Sequence, residues 1–327
     1  MLIVLLVGCA EAGEPATDVT ATPLPFAVPA GYELTPLPYQ FNRPTQFLVE
    51  SDQLWVAQLN GGENEAVGQV VRVDLATGAE TVIIGDLDKP TGIALLDGWL
   101  WIATRDALLR MEPAEAESLE VVVRDIPNNG RSNGTLTVTP DGRLLYESSG
   151  RRSDPESGRL WAYDPATGAS SLVAEGLKNA YAHFYDAAGR LWITEIGDGS
   201  VEDVPFPDEI NLVVPGADFG WPGCYGRELA GPECEGTRAA VAVLPVSSTP
   251  TGIAGSPFAP DTLLVTQWLT GELVTVTYTL QGNQAVGEVA PFISGLRNPQ
   301  HVLNRPDGAV WISEYSTGLI WELRRDE

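Results

Sequence analysis

Positive charge is scarce in this chain. Across 327 residues, Lys and Arg number 19 against 44 Asp and Glu, a formal net charge of −25. A polyanion needs a basic footprint, so nucleic-acid binding is excluded as a main activity. Histidine occurs 2 times and cysteine 3 times, which leaves few candidates for a His-rich or Cys-rich metal centre. No apolar run approaches the ~20 residues of a membrane-spanning helix. Long stretches of 3.6-residue periodicity are also missing, which disfavours a helical fold. Gly (34) and Pro (25) are abundant and 44% of residues are hydrophobic, the composition of an ordered, turn-rich chain.

Residues 1–7 form an apolar run, followed by Gly8, Cys9 and Ala10. This is the pattern at the end of a secretory leader. Leu6-Val7-Gly8-Cys9 resembles a bacterial lipobox, which would mark Cys9 for lipidation; a short buried strand is the alternative. No Lys or Arg precedes Arg43, so the leader's basic segment is expected upstream of Met1. Residues 1–9 thus read as a lipoprotein signal, the Pro/Thr-rich stretch 10–30 as a flexible tether, and 31–327 as the folded domain. The expected location is extracytoplasmic, touching the bacterial membrane only through the lipid. Disulfides persist in such a compartment. Cys224 and Cys234 are the expected pair, with two free thiols as the alternative.

The rest of the chain repeats itself. The segments Gln53-Leu54-Trp55-Val56-Ala57, Trp99-Leu100-Trp101-Ile102-Ala103, Arg143-Leu144-Leu145-Tyr146-Glu147, Arg190-Leu191-Trp192-Ile193-Thr194, Thr262-Leu263-Leu264-Val265-Thr266 and Ala309-Val310-Trp311-Ile312-Ser313 align. Their central residues lie 46, 44, 47, 72 and 47 apart, so one interval carries an insertion of about 26 residues, placed at about 197–237. Each unit opens with an apolar strand and turns at a pair such as Asp97-Gly98, Asp141-Gly142 or Asp307-Gly308, favoured in two-residue hairpins. The aligned strand follows, and two further strands complete the unit. Four short strands at this period predict an all-β, six-bladed β-propeller. The sixth unit has only three strands before the chain stops, and Tyr32–Tyr39 is expected to supply the fourth. Trp55, Trp101, Trp192 and Trp311 are then packing between blades.

In a propeller, the segments leading into the innermost strands converge on one mouth of the central channel. Five of the six carry a basic residue: Arg43, Lys89, Arg131, Lys178 and Arg297. In so acidic a chain this reads as an anion-binding mouth, or else as turn caps and inter-blade ion pairs. The insertion carries Asp198, Glu202, Asp203, Asp208 and Glu209 among glycines and prolines. Hard cations take several oxygens on irregular backbone, so Ca²⁺ is one reading and a solvated acidic loop is the other.

At the insertion the sequence resembles a known family. Pro207-Asp208-Glu209-Ile210-Asn211-Leu212, then Gly216-Ala217-Asp218-Phe219-Gly220-Trp221-Pro222-Gly223-Cys224-Tyr225-Gly226, is similar to the Asp-Glu-Ile-Asn … Gly-x-Asn-Tyr-Gly-Trp-Pro pattern of the pyrroloquinoline-quinone-dependent soluble glucose/sorbosone dehydrogenases. Gly176-Leu177-Lys178-Asn179-Ala180 resembles that family's Gly-Leu-Arg-Asn-Pro. The sorbosone-type branch is the nearest match. The resemblance implies a six-bladed propeller, with a quinone (PQQ) and Ca²⁺ in the mouth. It also implies that a His before the third blade's Pro-Asp-Gly turn removes the substrate proton. Counting back from Pro140-Asp141-Gly142 puts Arg131, or at best Gly130 or Ser132, at that position, and a guanidinium cannot act as the base. The quinone carboxylates would fall to Lys178 and Asn179, with Arg131 and Arg297 beside them. The metal would fall to the backbone of Gly197 and Asp198, with Asp208 and Glu209 nearby. Basic residues expected after the fifth blade's second strand are replaced by Gln267-Trp268-Leu269-Thr270. The leading expectation is therefore a monomeric, lipid-anchored, divergent propeller that binds a sugar, another small anionic ligand or a partner without redox turnover. The alternatives are an active PQQ- and Ca²⁺-dependent dehydrogenase of a sugar or aldehyde, with a base such as Asp198 or His183, and a calcium-dependent lactonase-like propeller.

Overall fold

A computed structural model describes residues 26–130, 133–197, 200–201, 204–229 and 232–326. Cys9, the 1–9 signal segment and most of the tether lie outside the described residues, as do Arg131 and Asp198.

Six antiparallel sheets follow one another in chain order. Their innermost strands are Pro44–Glu50, Gly92–Leu96, Thr137–Val138, His183–Tyr185, Pro250–Gly255 and Pro299–Asn304. Each pairs with the aligned strand identified from the sequence, as Phe47 with Val56 and Ile253 with Val265 show. The sixth sheet takes Tyr32–Gln40 as its outer strand, antiparallel to Leu319–Arg325, with Tyr32 opposite Arg325. One blade therefore uses both ends of the folded chain.

The period-2 alternation of each strand sends side chains to both faces of its blade, and six apolar clusters fill the six gaps. Phe47 and Trp311 join blades 6 and 1, and Trp55 and Ile93 join 1 and 2. Trp101 and Leu136 join 2 and 3, and Leu145 and Ile193 join 3 and 4. Trp192 and Val265 join 4 and 5, and Leu264 and Ile312 join 5 and 6. The aligned tryptophans are inter-blade packing, as their positions in the repeat predict. Each buried aromatic of this size contributes several kcal/mol, since truncation to Ala costs about 3–5 kcal/mol.

The insertion is not one loop. Asp208–Val213 is the third strand of blade 4, buried along its whole length and paired to Leu191–Glu195. The extra residues lie on either side of it. After it, Ala217–Asp218 adds a parallel strand to the outer edge of blade 3 at Ala174 and Glu175. Trp221 then packs against Gly150, where an added Cβ would meet its ring at 2.6 Å. Cys224 and Cys234 are joined by a disulfide.

Candidate ligand site at the channel mouth

The chain enters four of the six inner strands through a residue in the left-handed region followed by proline: Arg43-Pro44, Lys89-Pro90, Thr249-Pro250 and Asn298-Pro299, with φ of 58°, 52°, 58° and 55°. Such a conformation costs a non-glycine residue ~1–2 kcal/mol, and the surrounding blade must impose it. It also sets the register. Arg43 and Lys89 directly precede the proline, Arg297 stands one position earlier, and Lys178 lies two residues before Ala180, which takes the proline's place. Even residues that share a register part company. Lys89 and Lys178 line the mouth. Arg43 donates to the Gly61 carbonyl and lies over the Tyr315 ring, 5.9 Å from its centroid. Arg297 is exposed, and its backbone N–H donates to Glu314 at 2.6 Å.

The mouth encloses a cavity of about 270 Å³. All six blades contribute to its wall. The two lysines share it with the hydroxyls of Thr45, Thr91, Thr249 and Thr251 and the amides of Asn129, Asn179 and Gln300. Gln300 Nε2 donates to Tyr181 Oη at 2.8 Å, which orients that amide. Trp268 and Tyr315 form one rim, edge to face with centroids 5.7 Å apart, beside the exposed Leu269. A wall dense in hydroxyl, amide and ammonium groups with one flat aromatic face suits a small polyhydroxylated anion.

Beneath Asn179 lies a group of buried acids. Glu147 Oε1 accepts from Asn179 Nδ2 at 2.7 Å, and its carboxyl also takes the backbone N–H groups of Ala180 and Gly134. Burial pushes it up to about 8, against the pull of the Lys178 ammonium. Glu195 accepts from the backbone N–H of Lys178 and, at 3.3 Å, of Asn179. Burial also holds it well above the usual carboxylate range, and the neighbouring Glu209 and Glu147 add to the rise. These acids tie the lead-ins of blades 3 and 4 together. Glu147 stands where the other repeats have Ala57, Ala103, Thr194, Thr266 and Ser313. That departure from a small residue is visible in the alignment and is the signal by which it could have been found.

Of the expected metal ligands, the Asp208 and Glu209 side chains accept donors from the protein itself, and Asp198 lies outside the described residues. Asp208 Oδ1 accepts from the Gly197 N–H at 2.8 Å, and its Oδ2 accepts from Ser248 Oγ and the Thr249 N–H at 2.8 and 2.6 Å. Glu209 accepts from the Gly226 N–H and from Asn211 Nδ2. Gly197 lies so close to the Pro207 carbonyl that a Cβ would sit 2.1 Å from it. Asp208, with three donors, has little capacity left for a Ca²⁺ ion, which takes six to eight oxygens. Among the described residues no group of three His, Cys, Asp or Glu could hold a metal. PQQ carries three carboxylates, and the mouth opposes them with Lys89 and Lys178 while also holding Glu63. Among the described residues no imidazole lines the mouth. Among the described residues the mouth thus offers the quinone two cations and no imidazole base.

Both histidines lie in the far half of the channel. There a second cavity of about 470 Å³ is lined by the later residues of the inner strands, among them Phe47, Ile93, Leu136 and Val302. His183 Nε2–H donates to the Ala180 carbonyl at 2.7 Å, and His301 packs edge-on against Phe47. Burial pushes both imidazoles down to about 4, so both are neutral at pH 7.

The family model for Glucose / Sorbosone dehydrogenase matches residues 158–317. Among solved structures, the calcium structure of Trichoderma reesei Carbohydrate-Active Enzymes Family AA12 is 17% identical at a TM-score of 0.77, covering 95% of this chain and 100% of that one. The putative oxidoreductase (glucose dehydrogenase) of Thermus thermophilus is 18% identical at 0.74, covering 90% and 100%. The PQQ-bound aldose sugar dehydrogenase of Streptomyces coelicolor is 21% identical at 0.67, covering 91% and 99%. No curated protein matches significantly. The chain thus resembles the glucose/sorbosone dehydrogenases and shares the propeller fold of these structures.

Proposed function

We propose that this glucose/sorbosone dehydrogenase-like propeller binds a sugar acid, a polyhydroxylated monocarboxylate, at its channel mouth without redox turnover. One observation carries the reading. The mouth joins two ammoniums to a wall of hydroxyl and amide groups, with no imidazole among its described residues. The ammoniums suit a carboxylate, the threonines and amides suit hydroxyls, and Trp268 offers a face for a sugar ring. Titration calorimetry with an aldonate and with the matching neutral aldose tests this. Saturable binding of the acid, at least about tenfold tighter than the aldose, is expected; equal binding of both, or none, contradicts it.

A quinone-dependent dehydrogenase is the second reading, favoured by the PQQ-bound aldose sugar dehydrogenase among the similar structures. PQQ and Ca²⁺ would then be cofactors, with Lys178 and Asn179 toward the quinone. It predicts tight PQQ binding and dye reduction with an aldose, and a gain of rate in Arg131→His. We also propose that the protein works outside the cytoplasm as a lipid-anchored monomer. The Cys224–Cys234 disulfide supports that compartment. Loss of membrane association in Cys9→Ala would test the anchor.

A further inference from the structure

One contact at the mouth crosses between blades. The segment 59–67, which joins the second and third strands of blade 1, carries Glu63 to the cavity wall. The Glu63 carboxylate divides between two other blades. Oε2 lies 3.2 Å from Lys89 Nζ at the entry to blade 2. Oε1 accepts from Tyr315 Oη of blade 6 at 3.4 Å. Burial and the Glu63 charge push the Tyr315 phenol up to about 12, so the hydroxyl remains a donor. The two partners of the pair are unequally buried: the Lys89 side chain is 7% exposed and that of Glu63 55%. A buried ammonium requires a counter-charge, whereas a half-exposed carboxylate loses little by returning to water. The loop can carry that movement as a unit. The Glu65 carboxylate accepts from the Gly62 N–H and the Glu65 N–H donates back to the Gly62 carbonyl, each at 3.0 Å, forming a closed turn around Glu63.

We propose that Glu63 is a displaceable internal stand-in for the ligand's carboxylate, occupying the Lys89 subsite until a carboxylated ligand enters and takes its place. The inference rests on the mouth being a ligand site and adds to that reading a carboxylate pocket with a built-in competitor. A latch closed about nine-tenths of the time lowers apparent affinity about tenfold.

The test uses the full chain and needs no sugar. In Glu63→Ala, formate is expected to raise the melting temperature saturably, while chloride at equal ionic strength does not. In the Glu63→Ala/Lys89→Met double variant the difference between the two salts disappears. Equal effects of formate and chloride in Glu63→Ala, or a formate effect that survives in the double variant, overturn the proposal. Should Glu63→Ala fail to fold, Glu63→Gln keeps the side chain's shape without its charge. Its aldonate affinity is expected to rise about tenfold with neutral aldose binding unchanged; no rise, or an equal rise for both, overturns it. Formate rescue without aldonate binding by the wild type would remove the sugar acid and keep the latch. Aldonate binding without formate rescue would remove the latch alone.

Discussion

The two halves of the axial channel are built from the same six strands and differ in kind. Residues at the strand entries make a mouth of lysines, hydroxyls and amides underlain by the acids Glu147 and Glu195. A few residues further along, the same strands enclose a larger, mostly apolar space with two neutral imidazoles. A propeller's rigidity comes from the gaps between its blades, so the channel wall is free to carry chemistry at one end and packing at the other. The polar end is lined by Lys89 and Thr249 of the strained pre-proline turns, and it is the end proposed to recognise a ligand.

The contrast can be broken most severely at Glu147. Replacing it with Leu strands the donors of Asn179, Ala180 and Gly134 in a buried setting, at about 1–3 kcal/mol each. We expect a loss of several kcal/mol in denaturant unfolding, while Glu147→Gln loses far less because it keeps an acceptor. The second largest effect belongs to Lys89. Lys89→Met should weaken sugar-acid binding at least about tenfold, whereas His301→Gln in the far half should leave it unchanged. Calorimetry on the two variants decides whether the mouth alone recognises the ligand.

The two ends should also titrate in opposite directions. Glu147 sits at about 8 when folded against 4.5 as a free side chain. The native state therefore holds the proton more tightly, and stability falls as pH rises from 4.5 to 8. His183 and His301 sit at about 4 against 6.5, so stability falls as pH drops from 6.5 to 4. Each group contributes a slope of up to about 1.4 kcal/mol per pH unit within its window. Glu147→Gln should flatten the alkaline fall and His301→Gln the acid one, as read from unfolding free energies across pH. The smallest effect is expected at the exposed rim: Leu269→Ser should shift stability by less than about 0.5 kcal/mol while Trp268→Ala weakens sugar-acid binding severalfold.

Much of the fold was legible because the repeat is written in large apolar side chains. Trp55, Trp101, Trp192 and Trp311 mark equivalent strands, and the Asp-Gly pairs mark their hairpins. The site was legible in part. Lys178 and Asn179 do line the mouth, while Arg297, one residue early relative to its proline, is exposed. Lys178 and Arg297 hold the same place relative to their inner strands, yet only Lys178 lines the mouth, and composition carries no trace of that difference. Asp208 and Glu209 read as loop acids because they open their segment, yet they begin a strand whose buried ends are capped by backbone and serine donors. Glu63 has no counterpart in the repeat. Its role depends on a contact with Tyr315 across 252 residues of sequence, which only the closing of the ring creates.

A crystal structure of the propeller soaked with an aldonate would show ligand recognition at the mouth outright. The acid is expected in the mouth, its carboxylate on Lys89 and Glu63 turned out toward solvent. An aldonate found only in the far half of the channel, or a mouth that takes PQQ and excludes the sugar acid, would contradict it.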